Sequence, residues 1–492
     1  MNAFGVVLLF TAGALAGFPR AHAAPIRVDD LNHHYFRYKG KTTVLITSGE
    51  HYGAVINADF DGSKYLDTLQ RDGLNYTRLF AGSYIEVPGK SFGIRKNTLA
   101  PLAGRLLVPW ARSNEPGYAG GGNRFDLDRW DERYFARLRR FLSEAEERGI
   151  IVEITLFSSQ YGDAQWALSA FNANNNVNHT AAIGWKSINT LDNGNLLGYQ
   201  ELYTRKLVRE ANPFPNVLFE IQNEPWSDHG VLVDAINPYL PMPQRARYPN
   251  SVDVADAASL AWQKRVAQWI MAEEAGLPNE HLIAQNYCNF RFPVDTTIPG
   301  VGIINFHYAY PDAAILNYGL GKALAYDETG FLGQSDDAYL RQAWNFMLSG
   351  GSTFDSLDYS FTPGREDGSE IEPNGPGGGS PVLRKQLGIL HAFLDKLPLV
   401  EMRPDAHTAV HGAGVEVRML SGSKGVYAAY LDGKGPSRIS LDLPIGSYRG
   451  EWMDTETGAI TQIPELRGNG RPVALQTPAF TAGIALRLLR MK

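Results

Sequence analysis

Short apolar runs rich in β-branched and aromatic residues alternate with amphipathic helical stretches along most of this chain. Parallel strands need crossover connections, usually helices, so this order is typical of a parallel sheet covered by helices. Eight such strands are predicted, at residues 43–47, 74–80, 150–157, 216–222, 282–287, 301–306, 323–326 and 352–357. Eight strand–helix units predict an α/β fold, a (β/α)8 TIM barrel with insertions in its loops.

Helices are predicted between these strands, at residues 61–72, 131–148, 196–210, 253–275, 336–348 and 381–396. In the second of them Phe135, Leu138 and Leu142 fall on one stripe, and Gly149 follows as the terminating residue. Two long connections, 81–130 and 158–195, interrupt the pattern, and we expect them to narrow the site to a pocket or short cleft. An open doubly wound sheet is the alternative, although no predicted strand leads into Gly-x-Gly-x-x-Gly.

The pattern changes after the predicted barrel, which occupies residues 24–397. Residues 398–492 alternate apolar and polar side chains with period two, and turn residues such as those at 454–458 separate the runs. This part of the chain contains no convincing helical pattern. It predicts a small, all-β, antiparallel sandwich domain that follows the barrel.

Residues 1–23 resemble a secretory signal peptide. An apolar run from Phe4 to Gly17 is followed by Ala21-His22-Ala23, which has the small-x-small pattern of a cleavage site. Removal of this segment would leave a secreted or periplasmic protein with no membrane contact. The alternative is that the segment anchors the protein in a membrane, although its apolar run is short for a membrane-spanning helix. The lone cysteine, Cys288, excludes an intramolecular disulfide and fits a small buried hydrophobic residue better than a catalytic thiol.

The charge balance gives no reason to expect a nucleic-acid partner. Lys and Arg total 46 and Asp and Glu total 52, for a net charge of −6, whereas nucleic-acid-binding domains usually carry a basic surface. The aromatic residues are more informative, since the chain has 9 Trp, 23 Tyr and 23 Phe. Their flat rings can fill a core or line a sugar-binding site.

Two glutamates stand where the chemistry of a barrel is found, at the ends of predicted strands. Glu224 ends the fourth strand within Asn223-Glu224-Pro225, and Glu328 ends the seventh within Asp327-Glu328-Thr329. Two carboxyl groups that face each other across a cleft can hydrolyse a glycosidic bond, because one donates a proton while the other attacks or activates water. Asp327 is an alternative to Glu328, since strand alternation should turn only one of them toward the barrel axis.

These motifs resemble clan A of the retaining glycoside hydrolases, the barrel enzymes typified by the cellulase and mannanase family 5. The resemblance covers about residues 30–395 as architecture. It implies that Glu224 is the general acid/base, that Glu328 is the nucleophile and that Asn223 holds the 2-hydroxyl of the sugar. Arg78, at the end of the second strand, matches the arginine beside the nucleophile in this clan, where its charge would favour an ionised Glu328.

His307 and Tyr308, after the sixth strand, resemble the His and Tyr that surround the same centre in this family. Family 5 commonly shows His-x-Tyr, and Tyr308 and Tyr310 flank Ala309, so either tyrosine fits the role. Further candidates for substrate binding lie at other strand ends: His51, Asn286, Trp226 and Asp358, together with Gln160 and Tyr161. Asp358 fits a sugar ligand and a structural acid equally well, and Glu153 and Glu220 are expected to be buried structural groups.

No metal or other cofactor is expected. The pattern His-Glu-x-x-His is absent, and His407 and His411 on a strand would lie roughly 13 Å apart, too far to share an ion. The sequence therefore predicts an exported retaining glycoside hydrolase that acts on O-glycosidic bonds of a poly- or oligosaccharide. A transglycosylase with the same residues and a non-catalytic carbohydrate-binding barrel are the alternatives, and the sandwich could bind polysaccharide. Sugar identity and oligomeric state stay open.

Overall fold

The structure, a computed structural model, describes residues 24–49, 52–234, 251–289, 292–309, 312–371, 377–410 and 414–491. Several residues named in the sequence predictions lie outside these ranges: the signal segment 1–23, His51, Tyr310 and His411. No helix among the described residues is long and apolar enough to cross a membrane.

Eight parallel strands form the barrel and overlap the eight predicted strands. We number them barrel strands 1 to 8 in chain order: Leu45–Gly49, Tyr76–Phe80, Ile151–Ser158, Val217–Asn223, Leu282–Asn289, Val301–His307, Ala323–Glu328 and Thr353–Leu357. Strands 2 to 8 pair with their neighbours in chain order, and strand 8 pairs with strand 1. The fold class predicted from the sequence is confirmed.

Barrel strands 1 and 2 lie side by side without being paired in the sheet, and we call the gap between them the seam. The side chain of Asn75 bridges this seam. Its side-chain Oδ1 accepts from the backbone N–H of Ile46 at 2.9 Å, and its Nδ2 donates to the carbonyl of Val44 at 2.8 Å. Its own N–H donates to the carbonyl of Ile46 at 3.3 Å. One side chain therefore supplies the hydrogen bonds that a regular ladder would make at this position.

Amphipathic helices cover the outside of the barrel. The described α-helices are Gly62–Arg71, Glu132–Glu147, Asp163–Trp166, Leu196–Ala211, Ala257–Glu274, Asp312–Asn317, Asp336–Met347 and Pro381–Leu394. Side-chain caps fix several of their starts; Ser380 Oγ, for example, accepts from the N–H groups of Val382 and Leu383. All six predicted helices are present, with ends that differ by a few residues.

The largest difference concerns the helix predicted at 253–275. Residues Ser251–Ala255 form a strand that pairs with Gly230–Asp234, and the helix begins only at Ala257. Asp256 separates the two elements, because its side chain accepts from the N–H of Ser259 at 2.8 Å and caps the helix.

The first long connection contains a hairpin that the sequence did not predict. Trp110–Pro116 pairs with Asn123–Trp130, and the turn uses Gly121 and Gly122 with φ of 95° and 85°. Positive φ is readily adopted by glycine, which explains the glycines at this point. At the other end of the barrel, a small sheet of Arg27–Val28, Phe36–Tyr38 and Lys41–Thr43 packs apolar side chains against the starts of the barrel strands.

The C-terminal part is the predicted antiparallel sandwich. One sheet contains six strands in the order Met402–Pro404, Val415–Gly422, Val426–Gly433, Gly483–Arg490, Gly446–Asp454 and Ile460–Gly468. The other contains Ala409–Val410, Arg438–Leu441 and Val473–Gln476. Side chains between the sheets form a core of their own, whereas Tyr430 of the larger sheet stacks on Trp344 of the barrel at 5.6 Å.

Candidate active site

Glu224 and Glu328 lie together at the ends of barrel strands 4 and 7. An oxygen of each carboxylate and one ring nitrogen of His307 lie within 4.8 Å of one another. The two side chains are mostly buried, since Glu224 is 9% and Glu328 is 6% exposed. The structure thus brings together, at the C-terminal end of the barrel, the two acids that the sequence singled out.

The backbone of Glu224 has a conformation that non-glycine residues rarely adopt. Its φ is 47° and its ψ is 54°, in the left-handed region. Such a residue costs about 1–3 kcal/mol and persists only where its surroundings hold it. Here Asn286 Oδ1 accepts from the N–H of Glu224 at 3.0 Å, and Ser159 Oγ donates to its carbonyl at 2.6 Å. Asn286, predicted to bind substrate, is fully buried and instead fixes Glu224.

The carboxylate of Glu224 has two neighbouring donors. His307 Nδ1 lies 2.9 Å from Oε1, and the Tyr161 hydroxyl donates to Oε2 at 2.8 Å. Burial lowers the pKa of His307, but the charges of Glu328 and Asp327 outweigh it and hold that pKa well above its ordinary value. A raised pKa favours the protonated ring, in which Nδ1 donates to Glu224.

The carboxylate of Glu328 accepts hydrogen bonds from three sides. Tyr308 donates to Oε1 at 2.7 Å, while Tyr52 and Arg78 donate to Oε2 at 3.0 and 3.2 Å. Burial, followed by the charge of Glu328, raises the pKa of Tyr52 and of Tyr308 well above its usual range, so both phenols remain donors. A cation and two hydroxyl donors favour the ionised form of a carboxylate. The structure places Tyr308, one of the two predicted tyrosines, at the site, whereas Tyr310 lies outside the described residues.

Arg78 is fully buried and connects the site to acids beneath it. Its Nη2 donates to Glu220 Oε2 at 2.6 Å and to Asn223 Oδ1 at 2.7 Å. Burial lowers the pKa of Arg78, but Glu220 and Asp327 outweigh it and keep the pKa well above its ordinary value. Asn223 in turn donates to the Tyr161 hydroxyl at 2.7 Å. Arg78 therefore fixes Asn223 as well as Glu328.

Asp327 also points into the barrel, which strand alternation did not predict. The register shifts between strands 6 and 7, so that Phe306 pairs with Tyr326 and His307 pairs with Glu328. Asp327 is the extra residue of this bulge. It is fully buried, accepts from Asn305 at 2.8 Å and lies below the pocket instead of lining it.

Aromatic side chains form most of the pocket around Glu224 and Glu328. Its described lining residues are Tyr52, Phe80, Tyr84, Glu86, Phe92, Leu99, Tyr161, Asn223, Glu224, Tyr308, Glu328, Phe331, Leu357 and Tyr359. They follow seven of the eight barrel strands; among the described residues, strand 5 contributes none. The cavity volume is ≈ 30 Å³, room for about two water molecules.

Two predicted substrate ligands are buried away from this pocket. Trp226 is 6% exposed and packs edge-to-face on His307 with ring centroids 5.4 Å apart. Asp358 is fully buried, accepting from Arg384 at 2.8 Å and from Ser48 at 2.9 Å, so it is a structural acid. Trp110 and Trp166, two further tryptophans of the long connections, are buried as well.

Several pocket residues carried no sequence signal. Tyr84, Glu86 and Phe92 lie in the long connection after strand 2, where no periodic pattern marks a position. Tyr359 directly follows Asp358, which the sequence analysis selected as a candidate. The prediction at this strand end therefore missed the pocket residue by one position.

Within the described ranges, two groups of side chains offer metal-ligating atoms close together. They are Glu224, His307 and Glu328, and Glu220, His307 and Asp327. Arg78 contacts a carboxylate of each group. Its positive charge would repel a metal ion at either place, so the donor set fits proton chemistry better than metal binding.

No protein-family model and no curated protein matches the sequence. Solved structures do match along nearly the whole chain. A Bacteroides vulgatus protein provisionally described as a glycoside hydrolase aligns with a TM-score of 0.63 and 14% identity, covering 96% of this chain and 83% of its own. A Bacteroides vulgatus protein described as a family 5 glycoside hydrolase gives 0.60 and 11%, covering 95% and 93%. A third, described as a glycoside hydrolase, gives 0.59 and 12%, covering 95% and 97%. At sequence identities this low, the matches show that the folds are similar.

Proposed function

We propose that the protein is a glycoside hydrolase that cleaves O-glycosidic bonds of a poly- or oligosaccharide with retention of configuration. The observation that carries this proposal is the carboxylate pair, whose oxygens come within 4.8 Å at the C-terminal end of the barrel. Retaining enzymes place their carboxyl groups about 5–5.5 Å apart, whereas inverting enzymes leave about 6.5–9.5 Å for a water molecule. The shared fold with proteins described as glycoside hydrolases supports the same activity.

The surroundings of the pair divide the two roles between Glu224 and Glu328. Two carboxylates this close repel each other when both are ionised, and this repulsion favours a proton on one of them during the reaction. Arg78, Tyr52 and Tyr308 all donate to Glu328 and stabilise its charge. We therefore assign Glu328, which Arg78 contacts, as the nucleophile and Glu224 as the general acid.

In the first step Glu328 attacks the anomeric carbon while Glu224 gives its proton to the leaving oxygen. The bond from the anomeric carbon to the leaving group breaks as the ester to Glu328 forms. Glu224, now ionised, is stabilised by His307 and Tyr161. It then takes a proton from water, the hydroxide oxygen bonds to the anomeric carbon, and Glu328 leaves as a carboxylate.

Sugar release from a broad panel of glycans tests the proposal in wild type, Glu328→Gln, Glu224→Gln and Glu416→Gln. Glu416 is exposed on the sandwich, so its variant controls for the loss of one carboxylate. We expect the first two variants to lose at least about 10³-fold in kcat/KM and Glu416→Gln to match wild type. Proton NMR of the first product should show the anomer of the substrate.

Azide separates the roles of the two acids. Glu224→Gln should still cleave aryl glycosides that have good leaving groups. Its turnover should rise when azide replaces water as the attacking group, whereas the turnover of Glu328→Gln should not rise. Equal release by wild type and Glu328→Gln would contradict the nucleophile assignment. Products that carry a second sugar at high acceptor concentration would instead indicate a transglycosylase.

We also propose that the protein is exported, on the basis of the signal-like residues 1–23. Expression of the full chain in a bacterial host, followed by fractionation and N-terminal sequencing, tests this. We expect a protein outside the cytoplasm that begins at Ala24. A cytoplasmic protein that retains residues 1–23 would contradict export.

A further inference from the structure

We infer that Asp228 is a positioning residue for the general acid, because its carboxylate holds a neighbouring loop in the conformation that lets the Tyr161 hydroxyl reach Glu224. The loop consists of residues 159–161, directly after barrel strand 3, and we call it the strand-3 loop. This inference rests on the proposed glycoside hydrolase activity. Asp228 lies four residues after Glu224 in the chain, and neither the sequence motifs nor the mechanism above assigns it a role.

The carboxylate of Asp228 accepts hydrogen bonds from two consecutive backbone N–H groups of the strand-3 loop. Its Oδ2 accepts from the N–H of Gln160 at 2.7 Å, and its Oδ1 accepts from the N–H of Tyr161 at 3.1 Å. Asp228 is 6% exposed and is not one of the described residues that line the pocket. Because each oxygen takes one N–H, the carboxylate fixes both the position and the orientation of this stretch of backbone.

Asp228 is itself held close to Glu224 by the turn between them. A short 3-10 helix, Pro225–Ser227, follows Glu224, and the N–H of Asp228 donates to the carbonyl of Pro225. The N–H of Ser227 donates to the carbonyl of Glu224 at 3.0 Å. The carboxylate of Asp228 therefore has a defined position relative to Glu224, and so does the loop that it holds.

The backbone of Tyr161 depends on such a contact. Its φ is 58°, in the left-handed region that residues other than glycine rarely adopt. A residue in this region persists only where its surroundings hold it, and Asp228 accepts from the N–H of this same residue. In this conformation the Tyr161 hydroxyl donates to Glu224 Oε2 at 2.8 Å and accepts from Asn223 at 2.7 Å. Without the carboxylate we expect the loop to relax and the phenol to leave Glu224.

The phenol matters for the chemistry because it faces a carboxylate that gains charge. Burial, followed by the charge of Glu224, raises the pKa of Tyr161 well above its usual range, so the phenol remains a donor. As Glu224 gives its proton to the leaving oxygen, a donor already in place stabilises the negative charge that forms. This help is largest for a poor leaving group, which needs its proton in the transition state, and small for a good one.

A comparison of two leaving groups therefore tests the role of Asp228. The substrates are the phenyl and dinitrophenyl glycosides of the sugar that wild type releases, assayed at about pH 8. Burial raises the pKa of Asp228 to about 7, so its ionised form predominates there. We expect Asp228→Asn to lower kcat/KM on the phenyl glycoside by about 10- to 100-fold, the range of a hydrogen bond to a charged group. On the dinitrophenyl glycoside it should nearly match wild type, and an equal loss on both substrates would overturn the inference.

A double-mutant cycle shows whether Asp228 acts through Tyr161. Tyr161→Phe keeps the ring and removes the donor, so its loss should also be larger on the phenyl glycoside. If Asp228 acts by placing that hydroxyl, the double variant loses about as much as Tyr161→Phe alone. Losses that multiply would mean that Asp228 acts by another route and would overturn the inference.

Glu366→Gln is the matched control. Glu366 is 4% exposed, lies outside the pocket and likewise accepts from two backbone N–H groups, those of Asp61 and Gly364. We expect any loss in this variant to be the same on both glycosides. A preference for the dinitrophenyl glycoside in Glu366→Gln as large as in Asp228→Asn would count against a specific role of Asp228.

Crystal structures of wild type and Asp228→Asn test the positioning without any substrate. We expect the Tyr161 hydroxyl to contact Glu224 in wild type and to lie beyond hydrogen-bond distance in the variant. The same position of Tyr161 in both proteins would overturn the inference. If Asp228→Asn does not fold, Asp228→Glu, which moves the carboxylate by one methylene, gives the same comparison. Absence of hydrolysis by wild type on every glycan would overturn the proposed function, while the two structures would still decide whether Asp228 holds Tyr161.

Discussion

Glu153 illustrates how burial sets the charge of a single residue beneath the site. It lies within barrel strand 3, where it accepts from Asn305 at 3.0 Å and from the Tyr76 hydroxyl. Burial, and then the charges of Glu220 and Asp327, raise the pKa of Glu153 to about 8. When Glu153 is neutral, the interior around it, which also contains Glu220 and Asp327, carries one negative charge fewer.

Glu153→Gln should remove a pH dependence from the stability of the protein. Between pH 4.5, the ordinary value, and about 8, the folded state holds a proton on Glu153 that the unfolded state has lost. Stability from this group is therefore full at low pH and is lost as pH rises toward 8. We expect the Tm of wild type minus that of Glu153→Gln to fall steadily from pH 5 to pH 8.

Thermal unfolding followed by circular dichroism at several pH values measures this difference. Glu416→Gln, which changes an exposed acid, should give a difference that is flat with pH. A flat difference for Glu153→Gln as well would show that Glu153 is ionised in the folded protein at neutral pH.

At the scale of elements, the sequence predicts the regular parts of the fold because their residues repeat with a period. The eight barrel strands and six helices bury a continuous stripe or face, and that burial is visible in the sequence. The hairpin of Trp110–Pro116 and Asn123–Trp130 was missed because its strands are largely polar and half exposed. Its pairing depends on partners far along the chain that no local pattern reveals.

The same limit applies to the site. Glu224 and Glu328 could be predicted because both end strands of a barrel, where every strand end points to the same place. The bulge at Asp327 and the position of Glu86 could not, since both depend on contacts between different segments. The sequence correctly placed Asp358 at the end of a barrel strand. Its side chain, however, accepts a hydrogen bond from Arg384 of the last barrel helix and does not line the pocket.

Asn75→Ala should weaken the seam between barrel strands 1 and 2. It removes the acceptor for the N–H of Ile46 and the donor to the carbonyl of Val44. Two backbone groups at the seam then lack their partners, and we expect a loss of about 2–4 kcal/mol in the free energy of unfolding. Denaturant titration measures it, and activity well below the transition should change little.

Asn75→Asp separates the two contacts, because it keeps the acceptor for Ile46 but places a carboxylate oxygen against the carbonyl of Val44. It should also be less stable than wild type, and the loss should shrink at low pH, where the protonated acid can donate to that carbonyl. An Asn75→Ala variant as stable as wild type would show that the backbone alone holds the seam.

At the scale of the whole molecule, the sandwich and the barrel share a core. One continuous cluster of buried apolar side chains contains barrel residues together with Leu420, Ala428 and Tyr430 of the six-stranded sheet. Polar contacts border this interface: Arg341 pairs with Asp432 at 2.7 Å, and Asn345 donates to the same carboxylate at 2.7 Å. The sandwich and the barrel are therefore joined by one buried apolar interface.

Tyr430→Ala tests whether the two parts unfold as one unit. Tyr430 is 1% exposed and stacks on Trp344, so its truncation leaves a cavity between sandwich and barrel. Truncation of a buried aromatic residue costs about 3–5 kcal/mol. Tyr430→Phe keeps the ring and should unfold near the wild-type temperature.

Differential scanning calorimetry distinguishes the possible architectures. If the shared core couples the two parts, wild type unfolds in one transition, and Tyr430→Ala shifts the whole of it to lower temperature. Two transitions, of which only the smaller moves, would mean that the barrel is stable without the sandwich. In that case a chain lacking residues 398–492 should keep its turnover of short substrates, and any loss of attachment to polymers would assign the sandwich to polysaccharide binding. With a shared core, the same deletion uncovers Trp344, and the barrel should aggregate.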